Sequence, residues 1–168
     1  MSEIDNVLKW NEEFARHFTL RDLSKRPARR LAVLACMDAR LNVEQALGLA
    51  PGDAHIIRNA GAIVSEDALR SLVLSHHELG AREIMIVGHT ECGVLGLDDC
   101  ELRSRLEVQF GPAETPKSFH GFPDLENSVR EQTRKVRSHP WLRGRVLVRG
   151  FLYDVKTGML REVSDDSC

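Results

Sequence analysis

Apolar residues along the chain fall into helical spacings and short unbroken runs, and the two kinds alternate. Ile4, Val7, Leu8, Phe14 and Phe18 recur at roughly helical intervals, which predicts an amphipathic helix over residues 3–18. Residues 31–36, Leu-Ala-Val-Leu-Ala-Cys, are apolar throughout, the mark of a strand covered on both faces. His55–Asn59 is a second strand candidate, and Glu83–Gly88 is a third that repeats the apolar character. Arg145–Val148 begins a fourth strand that extends toward Val155, and Lys156-Thr157-Gly158 reads as a turn into an edge strand at Met159–Val163.

Helices are expected between the strands. Ser65 is a good N-cap, Glu66 and Asp67 suit the positive end of a helix dipole, and Gly80 can terminate the helix after Leu79. Leu69, Leu72, Val73 and His76 share one face of it. Pro123 fits a first helical position ahead of an apolar stripe of Leu125, Val129 and Val136, and Pro140 ends that helix near His139. The alternation predicts an α/β fold with a mostly parallel central sheet of four strands plus an edge strand, and helices on both faces. Length suits one domain over residues 1–168, with residues 1–30 as a helix-and-loop arm.

Charge narrows the choice of partner. Lys and Arg total 23 against 25 Asp and Glu, for a formal charge of −2. Residues 21–30 form a basic loop, but no aromatic residues interleave with the charges and no excess exists elsewhere, so a solvated connection is expected and no nucleic acid. No run approaches the roughly 18 apolar residues that cross a bilayer, and the acidic start Met1-Ser2-Glu3-Ile4-Asp5 does not read as a secretory signal. A cytoplasmic location and no membrane partner are expected. Cysteines 36, 92, 100 and 168 would then be ligands or plain thiols rather than disulfides.

In a parallel sheet, ligands gather beyond the carboxyl ends of the strands. Cys36-Met37-Asp38-Ala39-Arg40 follows the first strand, and Gly88-His89-Thr90-Glu91-Cys92-Gly93 follows the third. If crossovers set these strands side by side, Cys36, His89 and Cys92 can share one zinc ion and leave a fourth position for water, as in catalytic sites. Two thiolates cancel the charge of the metal, so an acceptor that orients the water would help. Asp38 can do this with Arg40 holding its carboxylate. Two other readings stand beside it: Asp38 and Arg40 form a structural pair, or Asp38 itself closes on zinc until Arg40 draws it away.

These segments, with His55-Ile56-Ile57-Arg58-Asn59-Ala60-Gly61, resemble the three signature blocks of the β-class carbonic anhydrases. The resemblance runs from about Leu31 to Gly96 and resumes at Gly150-Phe151-Leu152-Tyr153-Asp154-Val155, closest to the short bacterial members. It implies Zn2+ on Cys36, His89 and Cys92, a catalytic pair in Asp38 and Arg40, and hydration of carbon dioxide to bicarbonate by zinc-bound hydroxide. Gly93 is a candidate substrate contact. A homodimer or homotetramer is implied, with the N-terminal helix on a partner subunit and part of the pocket supplied by that partner. Val33 stands where members that trap inhibitory bicarbonate carry tryptophan, so that regulation is not expected.

Two alternative functions remain. Related enzymes with the same zinc set hydrolyse carbonyl sulfide or carbon disulfide. A structural-zinc or thiol-sensor protein without turnover would need a closed metal site. Arg58 and Asn59 are expected to support the site loops, Gly61 to permit a tight backbone, His76 to pack and His77 to be exposed. Phe151 and Tyr153 are expected in the core or an interface.

Overall fold

A computed structural model describes residues 2–164; Cys168 lies outside the described residues. The elements follow the order α1 (Glu3–Arg16), β1 (Leu31–Cys36), α2 (Val43–Ala46), β2 (Ala54–Asn59), a 3-10 turn at Ala60–Ala62, α3 (Glu66–His77), β3 (Glu83–His89), α4 (Asp99–Phe110), α5 (Leu125–Ser138), β4 (Leu147–Tyr153) and β5 (Leu160–Val163). One five-stranded sheet has the order β2-β1-β3-β4-β5, parallel except for the antiparallel edge strand β5. This is the expected α/β architecture.

The register fixes where the chemistry emerges. β1 runs beside β3 from Leu31↔Glu83 to Ala35↔Val87, so Cys36 and His89 leave the sheet together at its carboxyl edge. On one face Ala32, Leu34, Ile84, Ile86 and Val148 pack against Ala68 and Leu72 of α3 and Val136 of α5. On the other, Val33, Ala35 and Val87 meet Leu41, Val43 and Leu47, around the single-turn α2. Both long core helices therefore share one face, and the opposite face has thinner cover.

Glycine sets the distance between α5 and the sheet. A Cβ on Gly150 would lie 2.5 Å from Thr133 Oγ1 and 2.8 Å from Val129 Cγ1, and one on Gly88 would lie 2.6 Å from Val129 Cγ2. The two positions let α5 press onto β3 and β4.

Several boundaries differ from expectation for local reasons. Asp124, not a residue before Pro123, caps α5 by accepting from the Asn127 amide, so the helix begins at Leu125 and Pro123 lies outside it. β4 begins at Leu147 and ends at Tyr153, short of Val155, because the Asp154 side chain caps the following turn at Lys156. The sequence reading missed α2 and α4. α4 buries no residue, so it carries no apolar stripe to read; its local signal is Asp98, which accepts from the Cys100 and Glu101 amides. Asp99 fastens the segment after α4, accepting from Ser118 Oγ and from the Gly121, Phe119 and His120 amides. Those bonds, led by Ser118, hold its carboxyl down at about 2. Its contribution to stability is therefore present above the ordinary carboxylate range and is lost only as pH falls through about 2.

Gly150→Ala is expected to push α5 off the sheet and destabilise the fold by about 1–3 kcal/mol. Urea unfolding against the unmodified chain reads this directly, and an unchanged midpoint would show that the contact is not tight.

Candidate metal centre

The loop after β1 is held from the neighbouring strand. Arg58 on β2 donates from Nε to the Cys36 carbonyl at 2.9 Å and from Nη2 to the Asp38 carbonyl at 2.7 Å. Asn59 closes the next turn, donating to the Ile63 carbonyl at 2.7 Å and accepting from its amide at 2.8 Å. Within that turn, Gly61 adopts φ +77° and aims its amide at Cys36 Sγ, 3.3 Å away. A Cβ there would come within 2.7 Å of Val94 and 3.1 Å of Phe122, so both the angle and the crowding call for glycine.

Cys36, His89 and Cys92 converge from β1, the end of β3 and the turn beyond it. All three are buried, and their ligand atoms lie within 4.8 Å of one another. The sulfurs are 3.9 Å apart. His89 Nδ1 lies 2.8 Å from the Thr90 carbonyl, which can only accept, so this nitrogen carries the proton. Nε2 is then a bare lone pair. It is buried and, among the described residues, is the one buried side-chain nitrogen or oxygen with no hydrogen-bond partner.

Asp38 stands at the rim, its Oδ2 3.7 Å from that nitrogen. Arg40 grips it at both oxygens, through Nε to Oδ1 at 3.0 Å and Nη2 to Oδ2 at 2.8 Å, and the Arg40 amide adds a bond of 2.9 Å to Oδ1. The Arg40 side chain, then its backbone amide, hold the Asp38 carboxyl well below the usual carboxylate range. Gly93 is exposed beside Cys92, and a Cβ there would meet nothing within 4 Å, so no close approach demands glycine.

The sequence profile of the carbonic anhydrase family matches residues 31–160. Beta-carbonic anhydrase 1 of Mycobacterium tuberculosis is 39% identical over 166 residues, 98% of this chain and 99% of its own length. The chain belongs to the β-carbonic anhydrase family. A carbon disulfide hydrolase from an Acidianus strain is 38% identical, across 95% of this chain and 88% of its own. Among solved structures, the carbonic anhydrase of Streptococcus mutans superposes with a TM-score of 0.90 at 41% identity, covering 98% of this chain and 99% of that one. An apo carbon disulfide hydrolase gives 0.71 at 33% identity, covering 97% and 91%. These relatives mark the chain as an enzyme of the carbonic anhydrase class, a lyase.

β-Carbonic anhydrases use zinc, and the donor set here fits it: two sulfurs and one imidazole are zinc's preferred ligands. The orphaned Nε2 is the strongest sign, since a buried polar atom without a partner costs roughly 1–3 kcal/mol unless something binds it. Protons in the metal-free site tell the same story. A hydrogen bond from Cys92 holds the Cys36 thiol down, while that bond and burial push Cys92 up. Burial disfavours charge on His89, yet the neighbouring Cys36 outweighs it and raises the ring's affinity for a proton.

Sequence reasoning missed the Thr90 carbonyl that sets the His89 tautomer. It also missed Glu91, which reaches Arg40 from another segment, and Lys156, which braces Glu91; Arg40 Nη1 lies 3.1 Å from Glu91 Oε2, and Lys156 Nζ meets Glu91 Oε1. Side-chain length and charge hint at such pairs, but the spacing along the chain does not reveal them.

Metal binding must displace the proton held by Cys92. Zinc affinity is therefore expected to rise with pH, with proton release visible by calorimetry in buffers of differing ionisation heat. Cys36→Ser is expected to abolish stoichiometric zinc; a variant retaining one zinc per chain by mass spectrometry would remove Cys36 from the ligand set.

Proposed function

We propose that the protein catalyses the reversible hydration of carbon dioxide to bicarbonate and a proton, with Cys36, His89 and Cys92 holding one zinc ion. The observation that carries this reading is the bare His89 Nε2 facing two buried sulfurs beside an ionised carboxylate. Zinc bound there supplies a Lewis acid that makes a water nucleophilic near neutral pH. Three ligand atoms meet among the described residues, not four, which matches an open catalytic position and not a closed structural one.

The chain's own residues supply the rest. Asp38, held ionised by Arg40, can only accept hydrogen bonds, so it orients a water beside the ligand atoms and presents an oxygen lone pair outward. Its two oxygens are already engaged by Arg40, which favours this role over direct ligation. Arg58 fixes the loop carrying Asp38, and Gly93 leaves the approach beside Cys92 free of side-chain atoms.

A second copy completes the protein. None of the 14 residues of α1 is buried, and Ile4, Val7, Leu8 and Phe14 are 72%, 64%, 58% and 61% exposed. An isolated helix of that length is marginal in water, and such an apolar stripe calls for cover. The arm, residues 1–30, and the open edge of β2 are accordingly read as contacts of a homodimer, alone or doubled to a tetramer. We read residues 1–168 as one domain. The reduced thiols of the site suit the cytoplasm, and the described residues include no helix long and apolar enough to cross a membrane.

Carbonyl sulfide or carbon disulfide hydrolysis is the second reading, favoured by a carbon disulfide hydrolase of nearly the same identity. Initial rates on carbon dioxide, carbonyl sulfide and carbon disulfide, taken on one zinc-assayed preparation, decide between them; hydrogen sulfide release outpacing hydration would reverse the assignment. Asp38→Ala is expected to keep its zinc and lower kcat/KM about 10- to 100-fold. Replacing both Val7 and Leu8 with Glu is expected to reduce the mass seen by light scattering.

A further inference from the structure

Glu91 is ionisable, lies between two ligands and binds no metal in the reading above. Its backbone is left-handed at φ +56°, a conformation that costs an L-residue roughly 1–2 kcal/mol. That twist turns its carbonyl toward Arg40, whose Nη2 donates to it at 3.0 Å. Its carboxylate accepts from Arg40 Nη1 at 3.1 Å and meets the Lys156 ammonium through its other oxygen.

The topology gives these contacts their meaning. Asp38 and Arg40 sit on one loop, so a bidentate pair between them can swing as a unit with that loop. Glu91 sits in the turn after β3, between the ligands His89 and Cys92. The contacts from Arg40 to Glu91 are thus a direct side-chain tie between the segment bearing the carboxylate and the segment bearing two of the three ligands. Lys156, in the turn between β4 and β5, braces Glu91 from a third direction.

We propose that Glu91 is a positioning residue: it anchors the Arg40 guanidinium and thereby fixes the Asp38 carboxylate relative to the metal ligands. Stability does not explain the arrangement. Arg40 and Glu91 are 46% and 47% exposed at their side chains, and exposed pairs contribute little to folding. A strained residue at a site whose geometry matters is better explained by positioning, where misplacement by about 1 Å can cost as much as 100-fold in rate.

The inference rests on the catalytic reading of Asp38, so the test includes Asp38→Ala. Glu91→Gly keeps the backbone angle and the carbonyl acceptor but removes the carboxylate. It is expected to retain stoichiometric zinc and a thermal midpoint equal to or above that of the unmodified chain, while kcat/KM for hydration falls about 10-fold. Glu91→Gln, which still offers an acceptor oxygen, is expected to stay within about 3-fold of the unmodified chain. The second readout is independent of turnover. The Arg40 Nε–H signal in ¹⁵N NMR, assigned by its absence in Arg40→Lys, should be sharp in the unmodified and Gln proteins and exchange-broadened in the Gly protein, with zinc and after chelation alike.

Wild-type kcat/KM in Glu91→Gly, or a loss accounted for by missing zinc or a lowered midpoint, overturns the proposal. If Asp38→Ala is slow while Glu91→Gly is not, the positioning role falls and the catalytic reading stands. If Asp38→Ala is fully active, both fall together.

Discussion

The centre depends on one buried imidazole. The Thr90 carbonyl takes the proton-bearing nitrogen of His89, and the ring, buried at the end of β3, has no freedom to offer its other nitrogen to water. That nitrogen lies within 4.8 Å of the two sulfurs, a spacing that one metal ion could bridge. A fold that left it bare without binding anything would sacrifice stability for no return, because a desolvated acceptor loses its hydrogen bonds to water and gains none inside. The arrangement suits a metal ion, and the proton held by Cys92 would make its binding a function of pH.

Around the imidazole, rigidity is built by cross-links between segments distant in the chain. Arg58 on β2 holds two carbonyls of the loop after β1, Asn59 clasps Ile63, and Gly61 brings its amide to the Cys36 sulfur. Arg58 and Asn59 engage backbone groups, so the loop shape they set does not depend on the side chains that perform chemistry. Arg40 differs: it binds both carboxylate oxygens of Asp38 as well as the carboxylate and carbonyl of Glu91, and so belongs to the chemistry and to the scaffold together.

The apolar surface is unevenly finished. One face of the sheet is covered by α3 and α5, the other mainly by a single-turn helix and loops, and α1 projects an uncovered stripe. The site lies at the carboxyl edge of the sheet, beside the outermost β2 strand that supplies Arg58.

Much of this was legible in the residues themselves. Unbroken apolar runs marked β1 and β3 because strands covered on both faces need such residues at every position, and the segments after them held every ligand atom of the cluster. The supporting roles expected of Arg58, Asn59 and Gly61 match the contacts they make, and His76 packs while His77 is exposed. α4 escaped notice because it fully buries no residue, and periodicity reports only burial. What tertiary structure alone decided is orientation: which His89 nitrogen stays bare, that Arg40 grips both Asp38 oxygens, and that Glu91 and Lys156 reach in from other turns. Residue type and spacing determine which groups are available and which strand ends carry them. Direction and tautomer depend on contacts between segments far apart in the chain, and these exist only once the sheet has set its register.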